Sequence, residues 1–243
     1  MKDQELYDPD YVKALFDRCS ASYRFWSQIA SFGFIWLWRR QCINALPDFA
    51  SQRGVGADLM TGTGECWSYL LRRRPGIEKI VAVDISTGMV ERAIDRLHQS
   101  RRNNISVMNA DVLNAGLPEA SFDFVICVFG LKTFNERQHR LFARELARIL
   151  KPGGSFSLIE ASDPKDWSLR PLYLLYLTRV LPLIERYILR GAEDFSMLGV
   201  YARNFGDCRK IRDFISAEGL EAENRSFFFG CATGVAGRKP IPK

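Results

Sequence analysis

A glycine-rich turn is the feature of this chain best suited to binding a small molecule. Residues 57–65 read Ala-Asp-Leu-Met-Thr-Gly-Thr-Gly-Glu, directly after an apolar run and at the start of a helical pattern. Gly62 and Gly64 have no Cβ, so a ligand can approach the backbone of the turn closely. Asp84 ends the next apolar run, 22 residues after Gly62. A carboxylate there can accept hydrogen bonds from a ribose diol, which predicts a ligand that contains a nucleoside.

The residue three places after Gly64 distinguishes the two ligand classes that share this pattern, dinucleotides and S-adenosylmethionine. In the dinucleotide fingerprint a third glycine allows the pyrophosphate to dock, but here that residue is Trp67. S-adenosylmethionine has no pyrophosphate and does not require this glycine. We therefore predict S-adenosylmethionine as the cofactor, and we expect Thr61, Thr63 and Ile85 to lie beside it.

Two further apolar runs end in residues that could complete the site. Asp111 follows the run at 105–109 and can accept a hydrogen bond from the adenine amine, while Val112 packs on the ring. A helix cap is the alternative role for Asp111. Val128 and Phe129 end the run at 122–128, and ligands of open α/β sheets bind at the carboxyl ends of strands. We therefore expect residues 129–132 to face the reacting centre.

Short apolar runs alternate with helical patterns from residue 54 onward, which is typical of βα units and a parallel sheet. The predicted strands are Val55–Met60, Lys79–Val83, Ile105–Asn109, Phe122–Val128 and Gly154–Glu160. The predicted helices are Cys66–Arg73, Gly88–Gln99, Glu136–Leu150 and Phe205–Gly219. The runs Glu221–Phe229 and Cys231–Gly237 predict a terminal β hairpin. Together these elements predict an α/β, Rossmann-like fold with a seven-stranded sheet and helices on both faces.

The first 50 residues differ from the rest, because ten of the thirty aromatic residues lie between positions 7 and 38, in patterns with helical spacing. We predict that residues 1–50 form a helical lid. Residues 51–243 then form the cofactor-binding domain, with a substrate-covering insertion at about 165–205. The apolar stretch 169–189 contains three arginines, a glutamate and two prolines, so we predict an interfacial amphipathic helix and not a membrane span.

Composition excludes several classes of protein. With 243 residues, 47% of them hydrophobic and 26% charged, the chain fits a globular α/β domain with additions. Six scattered cysteines without a C-x-x-C pair, and only two histidines, argue against a disulfide framework and a metal site. The polar, acidic start MKDQELYDPD is unlike a signal peptide, so we expect a cytoplasmic protein.

A net charge of +6 is compatible with partners that carry negative charge. Most of the arginines that supply it are scattered and are expected to be solvated, and peripheral contact with anionic lipid headgroups is the alternative. Nucleic acid is a poor partner, because the chain has no Pro-Pro and so lacks the Asn/Asp-Pro-Pro-aromatic motif of amino-directed base methyltransferases. Pairing of two copies into a homodimer stays open.

The order of these motifs resembles the ubiquinone/menaquinone C-methyltransferase family, within the class I S-adenosylmethionine-dependent methyltransferases. The resemblance covers most of residues 12–237. It is carried by Phe16-Asp17-Arg18-Cys19-Ser20-Ala21-Ser22-Tyr23, Ser31-Phe32-Gly33, Leu37-Trp38-Arg39-Arg40, Thr61–Gly64, Phe129-Gly130-Leu131, Leu150-Lys151-Pro152-Gly153-Gly154 and Val180-Leu181-Pro182. By position, the resemblance implies cofactor contacts at Thr63, Asp84, Asp111, Val112 and Val128.

The chain departs from the family on the acceptor side. Tyr23-Arg24 stands where the family usually has Tyr-Asp, and Ser27-Gln28 where it has Asn-Asp. Ile35-Trp36 replaces a His-Arg pair, and Lys132-Thr133 replaces Arg-Asn after a shared Gly-Leu. The acceptor can therefore differ even though the cofactor residues agree.

We accordingly expect a methyltransferase that acts on a lipophilic or aromatic small molecule, with C-methylation of a quinol-type ring as the leading hypothesis. Lys132 is the candidate cation for the acceptor's developing oxyanion, and Tyr23 is a candidate hydrogen-bond donor. His98 and His139 fall in predicted helices and are expected at the surface. The alternatives are O- or N-methylation of another small molecule, such as a specialised metabolite or an aminophospholipid, and a non-catalytic cofactor-binding scaffold.

Overall fold

Seven strands form one sheet in the computed structural model, which describes residues 3–49, 53–100, 102–165, 167–180, 183 and 196–242. The strands are β1 Gly54–Leu59, β2 Ile77–Asp84, β3 Ile105–Asn109, β4 Phe122–Val128, β5 Leu150–Ala161, β6 Glu221–Phe227 and β7 Ala232–Arg238. Their order across the sheet is β3-β2-β1-β4-β5-β7-β6. Strands β1 to β5 pair in parallel, whereas β7 is antiparallel to both β5 and β6. The predicted fold class and the terminal β hairpin are confirmed.

Helices cover both faces of the sheet and also form the N-terminal segment. They are α1 Asp3–Leu6, α2 Pro9–Cys19, α3 Tyr23–Ala30, α4 Ile35–Ala45, α5 Trp67–Arg73, α6 Thr87–Ser100, α7 Glu136–Ile149, α8 Arg170–Leu175, α9 Ser196–Phe205 and α10 Arg209–Ala217. A π-helix, Tyr176–Val180, continues α8. Short 3₁₀ turns lie at Val112–Asn114, Leu131–Thr133 and Phe228–Gly230.

Two apolar clusters hold these helices on the sheet. On one face, Phe142 and Leu146 of α7 and Ile215 of α10 pack against the central strands. On the other face, Ile43 of α4 and Trp67 of α5 pack in a cluster with residues of β2, β3 and β4. Strand β4 is buried along nearly its whole length, as expected for a central strand covered on both sides.

Some element boundaries differ from the sequence prediction for local reasons. Strand β5 begins at Leu150, four residues early, because Leu150 pairs with Phe122 of β4 and Gly153 N–H donates to the Lys239 carbonyl. The helix predicted at 205–219 begins at Arg209, because Gly206 adopts a φ of +73° and separates α9 from α10.

The N-terminal helices share an apolar cluster with the segment around α8 and α9. Leu15 and Trp26 pack with Tyr201 of α9, and the Tyr201 hydroxyl donates to the Leu6 carbonyl at 2.6 Å. The Tyr176 hydroxyl donates to the Ile29 carbonyl at 2.7 Å. The second half of the predicted amphipathic stretch 169–189 lies largely outside the described residues. Among the described helices, none is both long and apolar enough to cross a bilayer.

Candidate active site

A cleft lies at the carboxyl ends of β1, β2, β3 and β4, where the strand order reverses on the two sides of β1. It encloses about 940 Å³ of empty space, counting its open mouth. The turns after these four strands form one wall, and residues 7–23 of the N-terminal segment form the opposite wall. Nine of the ten predicted cofactor residues line it: Thr61, Gly62, Thr63, Asp84, Ile85, Asp111, Val112, Val128 and Phe129.

Gly62 and Thr63 have the features of a ligand cradle. Gly62 adopts a φ of +56°, and a Cβ placed on it would meet no atom within 4 Å, so open space lies above its backbone. The Thr63 hydroxyl is buried and has no hydrogen-bond partner among the described residues. A buried hydroxyl without a partner is costly unless a ligand or water satisfies it, so both residues fit a bound polar group.

Gly64, the tenth predicted cofactor residue, is not part of the cleft wall. A Cβ on Gly64 would lie only 2.4 Å from the Trp67 ring, and the residue adopts a φ of +71°. Trp67 in turn donates from its indole N–H to Asp58 Oδ2 at 2.8 Å. Gly64 therefore serves the turn by leaving room for Trp67, the residue that replaces the third glycine of the dinucleotide fingerprint.

Asp84 lies at the end of β2 with its carboxylate held by the backbone. Its Oδ2 accepts from Gly62 N–H at 2.7 Å, and its Oδ1 accepts from Ser86 N–H at 2.9 Å. Each oxygen keeps a second lone pair, so the carboxylate can still accept from a pair of ribose hydroxyls. Burial raises the pKa of Asp84 to about 6, against the opposing effect of the two N–H donors.

A second carboxylate, Asp58, lines the same cleft and was not among the predicted site residues. Its Oδ2 accepts from both the Thr61 hydroxyl and the Trp67 indole, so Oδ1 is available to a ligand in the cleft. Burial raises the pKa of Asp58 to about 6, although these two hydrogen bonds oppose the shift. An aspartate near the end of an apolar strand run is a sequence signal that could have identified it.

Asp111 combines both of the roles considered from the sequence. Its Oδ1 accepts from Leu113 N–H at 3.0 Å and so caps the 3₁₀ turn Val112–Asn114. The residue also lines the cleft, beside Ala110 and Val112. Its position after β3 suits contact with the far end of a nucleoside whose ribose lies at Asp84.

The wall facing these turns is largely aromatic and apolar. It includes Tyr7, Val12, Phe16 and Tyr23, and the rings of Phe16 and Tyr23 meet edge to face with centroids 6.0 Å apart. Burial raises the pKa of Tyr23, opposed by the positive charges of Lys132 and Arg39. The Tyr23 hydroxyl therefore keeps its proton at neutral pH and can donate a hydrogen bond.

Arg39 and Glu65 add an ion pair to the polar end of the cleft. Both side chains are mostly buried, both line the cleft, and the guanidinium contacts the Glu65 carboxylate. Arg24 lies 3.6 Å from the same carboxylate. Sequence reasoning missed this pair, since α4 and the glycine-rich turn are brought together only by the fold.

The predicted role of Lys132 requires correction. Lys132 does not line the cleft; it is 4% exposed, and its ammonium donates to Glu160 Oε1 and to the Phe129 carbonyl, both at 2.9 Å. Its charge is thus paired inside the protein and is not offered to an acceptor. Of residues 129–132, Phe129 and Gly130 face the cleft, whereas Leu131 and Lys132 are buried behind them.

The two histidines have different surroundings. His98 is exposed, as predicted. The prediction for His139 was wrong, because this side chain is buried between Phe134 and Phe205 and its Nε2 lies 2.8 Å from the Leu131 carbonyl. Among the described residues, no group of three or more histidine, cysteine, aspartate or glutamate side chains is placed to hold a metal ion.

An apolar groove lies beside the cleft. It is lined almost entirely by carbon atoms of Phe34, Trp38, Trp167, Tyr173 and neighbouring residues. The rings of Trp38 and Phe129 lie 6.1 Å apart, and Phe129 belongs to the wall of the cleft, so this ring pair separates groove from cleft. The groove opens towards exposed apolar side chains, which include Phe32, Leu169, Leu172, Leu175, Phe228 and Phe229.

Comparison with known sequences matches nearly the whole chain to a family of methyltransferases. The sequence model of the ubiE/COQ5 methyltransferase family matches residues 2–239. A demethylmenaquinone methyltransferase from Porphyromonas gingivalis is 26% identical over 239 residues, covering 98% of this chain and 96% of that protein. The enzyme of the same name from Geobacillus stearothermophilus is 27% identical over 231 residues, covering 94% of this chain and 96% of that protein.

Solved structures agree on the fold. A Thermotoga maritima protein, described as an S-adenosylmethionine-dependent methyltransferase and possible histamine N-methyltransferase, superposes with a TM-score of 0.60 at 19% identity. The match covers 93% of this chain and 99% of that chain. The protein is accordingly an S-adenosylmethionine-dependent methyltransferase, and the open glycine turn, the Thr63 hydroxyl and the Asp84 carboxylate fit that cofactor.

Proposed function

The chain belongs to the ubiE/COQ5 methyltransferase family, and on this premise we propose that it C-methylates the ring of a lipophilic quinol, with demethylmenaquinol as the leading candidate. One observation carries the proposal: the cofactor cleft faces an aromatic wall and adjoins an apolar groove at the Trp38–Phe129 pair. A flat aromatic ring with a hydrocarbon tail is complementary to this arrangement. The relatives named demethylmenaquinone methyltransferase give the ring its proposed identity.

When bound, S-adenosylmethionine supplies a methyl group on a sulfonium sulfur, which is already electrophilic. The chain must therefore hold the acceptor ring in line and exclude water. We assign the ribose to Asp84, the adenine to Asp111 and Val112, and the positively charged amino-acid end to Asp58. In this arrangement the turn at Phe129 and Gly130 lies next to the reacting carbon.

Carbon methylation needs an electron-rich ring, which a quinol acquires when one hydroxyl ionises. Tyr23 is our candidate for stabilising the resulting oxyanion, because it lines the cleft and its raised pKa keeps it protonated. The ring carbon would bond to the methyl group as the methyl–sulfonium bond breaks and a neutral thioether is left, and the ring proton would then pass to water, which restores aromaticity. Lys132 takes no direct part in this proposal, since its ammonium is paired with Glu160.

Residues 1–50 act in this proposal as a lid on the cleft. Asp17 of α2 ties the segment to the sheet, because its Oδ1 accepts from the Ser86 hydroxyl at 2.7 Å and from Gly88 N–H at 2.9 Å. Gln138 at the start of α7 donates to the Tyr7 carbonyl at 3.0 Å. These contacts hold the aromatic wall over the turns that bind the cofactor.

We further propose that the protein meets its acceptor at a membrane surface. Leu172 is 64% exposed and Phe229 is 69% exposed, on the rim of the groove. Phe228 and Phe229 both adopt positive φ values, 45° and 56°, which project two adjacent aromatic rings from the turn between β6 and β7. With a net charge of +6, these exposed rings suit insertion into an anionic interface.

Transfer of a labelled methyl group tests the proposal. Purified protein is incubated with methyl-labelled S-adenosylmethionine and with demethylmenaquinol in mixed micelles, beside amine and phenol acceptors of similar size. We expect label in the quinol fraction, and none when the oxidised quinone is supplied, because only the quinol can ionise to a nucleophile. Label in an amine or a phenol ether would replace this proposal with N- or O-methylation. Cofactor binding without transfer to any acceptor, membrane extracts included, would indicate a scaffold.

A further inference from the structure

Phe129 adopts a backbone conformation that a phenylalanine rarely takes. It follows β4 directly, lines the cleft and has a φ of +67°, in the left-handed region that favours glycine. Such a residue persists only where its surroundings hold it in place, and such sites cluster at functional centres. The structure must therefore contain groups that fix this turn.

A buried ion pair provides them. Lys132 Nζ donates to the Phe129 carbonyl at 2.9 Å and to Glu160 Oε1 at 2.9 Å. Glu160, fully buried in β5, accepts through Oε2 from Lys132 N–H at 3.0 Å and through Oε1 from Ala161 N–H at 2.8 Å. The turn is thus fastened to the neighbouring strand through both the side chain and the backbone of one lysine.

The lysine is charged in this setting. Burial is the largest single effect and lowers the pKa of Lys132, but the charge and hydrogen bond of Glu160 together with the nearby Tyr23 more than offset it, so the pKa is raised. A buried ion pair generally contributes little net stability, because removing both charges from water offsets their attraction. Stability by itself is therefore a weak explanation for this pair, and its contact with the strained turn is a better one.

The position of the turn matters for the cleft. The Phe129 ring contacts the Trp38 ring and so stands between the cofactor cleft and the apolar groove. Next to it, Gly130 packs under Met60, and a Cβ on Gly130 would lie 2.2 Å from the Met60 sulfur. Met60 follows β1 and also has a positive φ, 56°, so the two turns at the centre of the sheet are interlocked.

We propose that Lys132 and Glu160 are positioning residues, which hold the Phe129 turn in its left-handed form so that the ring shapes the acceptor side of the cleft. Neither residue lines the cleft. This inference rests on the proposed function only for the choice of acceptor. It predicts that loss of the pair impairs use of the acceptor much more than binding of the cofactor.

A matched control comes from the other end of the same two strands. Lys151 of β5 pairs with Asp123 of β4 at 2.9 Å, far along the strands from the cleft. Lys151→Met removes a lysine–carboxylate pair between the same strands, but away from the turn. A general loss of strand pairing would affect both variants, whereas loss of positioning would affect only the pair at Phe129.

The test compares Lys132→Met, Lys132→Arg and Lys151→Met with the wild type. For Lys132→Met we expect the acceptor KM to rise about tenfold, with a smaller fall in kcat and a cofactor Kd within twofold of wild type. Arginine can reach both Glu160 and the Phe129 carbonyl, so Lys132→Arg should recover most of the loss. Lys151→Met should match the wild type in all three constants. If Lys132→Met does not fold, the neutral pair Lys132→Gln/Glu160→Gln replaces it in the comparison.

A second readout does not depend on the acceptor. Hydrogen exchange of the amides at 129–133 should accelerate in Lys132→Met or in the neutral pair, and should stay unchanged in Lys151→Met. If wild-type protein fails to methylate the quinol while this exchange pattern appears, the proposed acceptor is wrong and the positioning role stands. The inference would be overturned if a folded Lys132 variant had the same acceptor KM and the same amide exchange rates at 129–133 as Lys151→Met.

Discussion

The two sides of the cleft are built in different ways. The cofactor side consists of short turns at strand ends. There, Asp84 and Asp111 each accept from a backbone N–H two residues later, and Asp84 also accepts from Gly62 in the neighbouring turn. The acceptor side combines residues from distant segments, such as Tyr23, Arg39 and Phe129. The cofactor side is therefore set by local sequence, and the acceptor side by how segments pack. The comparison implies that substitutions on each side should affect different constants.

The largest effect is expected from Asp84→Ala on the cofactor side. The change removes the carboxylate that would accept from the ribose hydroxyls, and it also releases Gly62 and Ser86 from their hydrogen bonds. We expect cofactor affinity to fall by about 2–3 kcal/mol, roughly 30- to 150-fold. Titration calorimetry on folded protein gives the value, and NADH should not compete in the same assay. Unchanged affinity would remove Asp84 from the site.

The pH dependence of cofactor binding should reveal the buried carboxylates. Asp58 and Asp84 both have pKa values raised to about 6 by burial, so both are ionised above that pH in the free protein. A cationic ligand and the ribose hydroxyl donors bind the ionised carboxylates better than the protonated ones. Cofactor affinity is therefore highest well above pH 6 and decreases as the pH falls through 6. Their effect on folding has the opposite sign, because acids with raised folded pKa values stabilise the fold at low pH and less so as the pH rises towards 6.

We expect the cofactor Kd to rise at least about tenfold between pH 7 and pH 5, because each carboxylate that must be ionised for binding contributes up to about tenfold. Asp58→Asn should flatten this dependence, because the asparagine carbonyl can still accept from Thr61 and Trp67 but cannot ionise. Calorimetry across this range measures both curves. A variant curve as steep as that of the wild type would show that Asp58 does not titrate with binding.

On the acceptor side, Tyr23→Phe should lower turnover by about fivefold and leave the cofactor Kd unchanged, because it deletes one hydrogen bond to a developing oxyanion and keeps the ring. Steady-state kinetics with the quinol, together with cofactor titration, separates the two constants. An equal loss in kcat and in cofactor affinity would indicate that Tyr23 supports the shape of the cleft and takes no part in the reaction.

The smallest effect is expected at the rim of the groove. Phe229→Ser should weaken sedimentation with anionic vesicles and lower activity on a vesicle-borne quinol by about threefold, because one exposed ring is lost from the interface. Activity on a short-tailed quinol in detergent should not change. Ile241→Ser serves as a control, because Ile241 is also exposed (68%), whereas the Phe229 ring stacks on the groove-lining Trp167. Equal loss in both variants would contradict a specific membrane face.

The difference between the two sides also explains what the sequence could predict. Alternating apolar runs predicted the strands, and the residues at their ends predicted nine members of the cleft wall. Those signals are local. The close packing of Gly64 against the Trp67 ring could not be predicted, because a spacing pattern does not describe the space that a side chain occupies.

Long-range partners account for the remaining errors. Lys132 looked like a lysine available to the acceptor, but Glu160, 28 residues later, pairs with it inside the core. His139 looked exposed, but α9 supplies Phe205 to cover it. Arg39 reaches the cleft only because α4 packs beside the glycine-rich turn. None of these contacts has a signature within a few residues of the group concerned.

The position of the transferred methyl group on the product is the most direct test of carbon methylation of a quinol ring. Wild-type protein is incubated with S-adenosylmethionine carrying ¹³C in its methyl group and with chemically reduced demethylmenaquinol, and the product is examined by carbon NMR. We expect one labelled methyl bonded to a ring carbon, with long-range coupling to the quinone carbonyl after oxidation. A labelled methyl ether, or full cofactor binding with no labelled product, would contradict it.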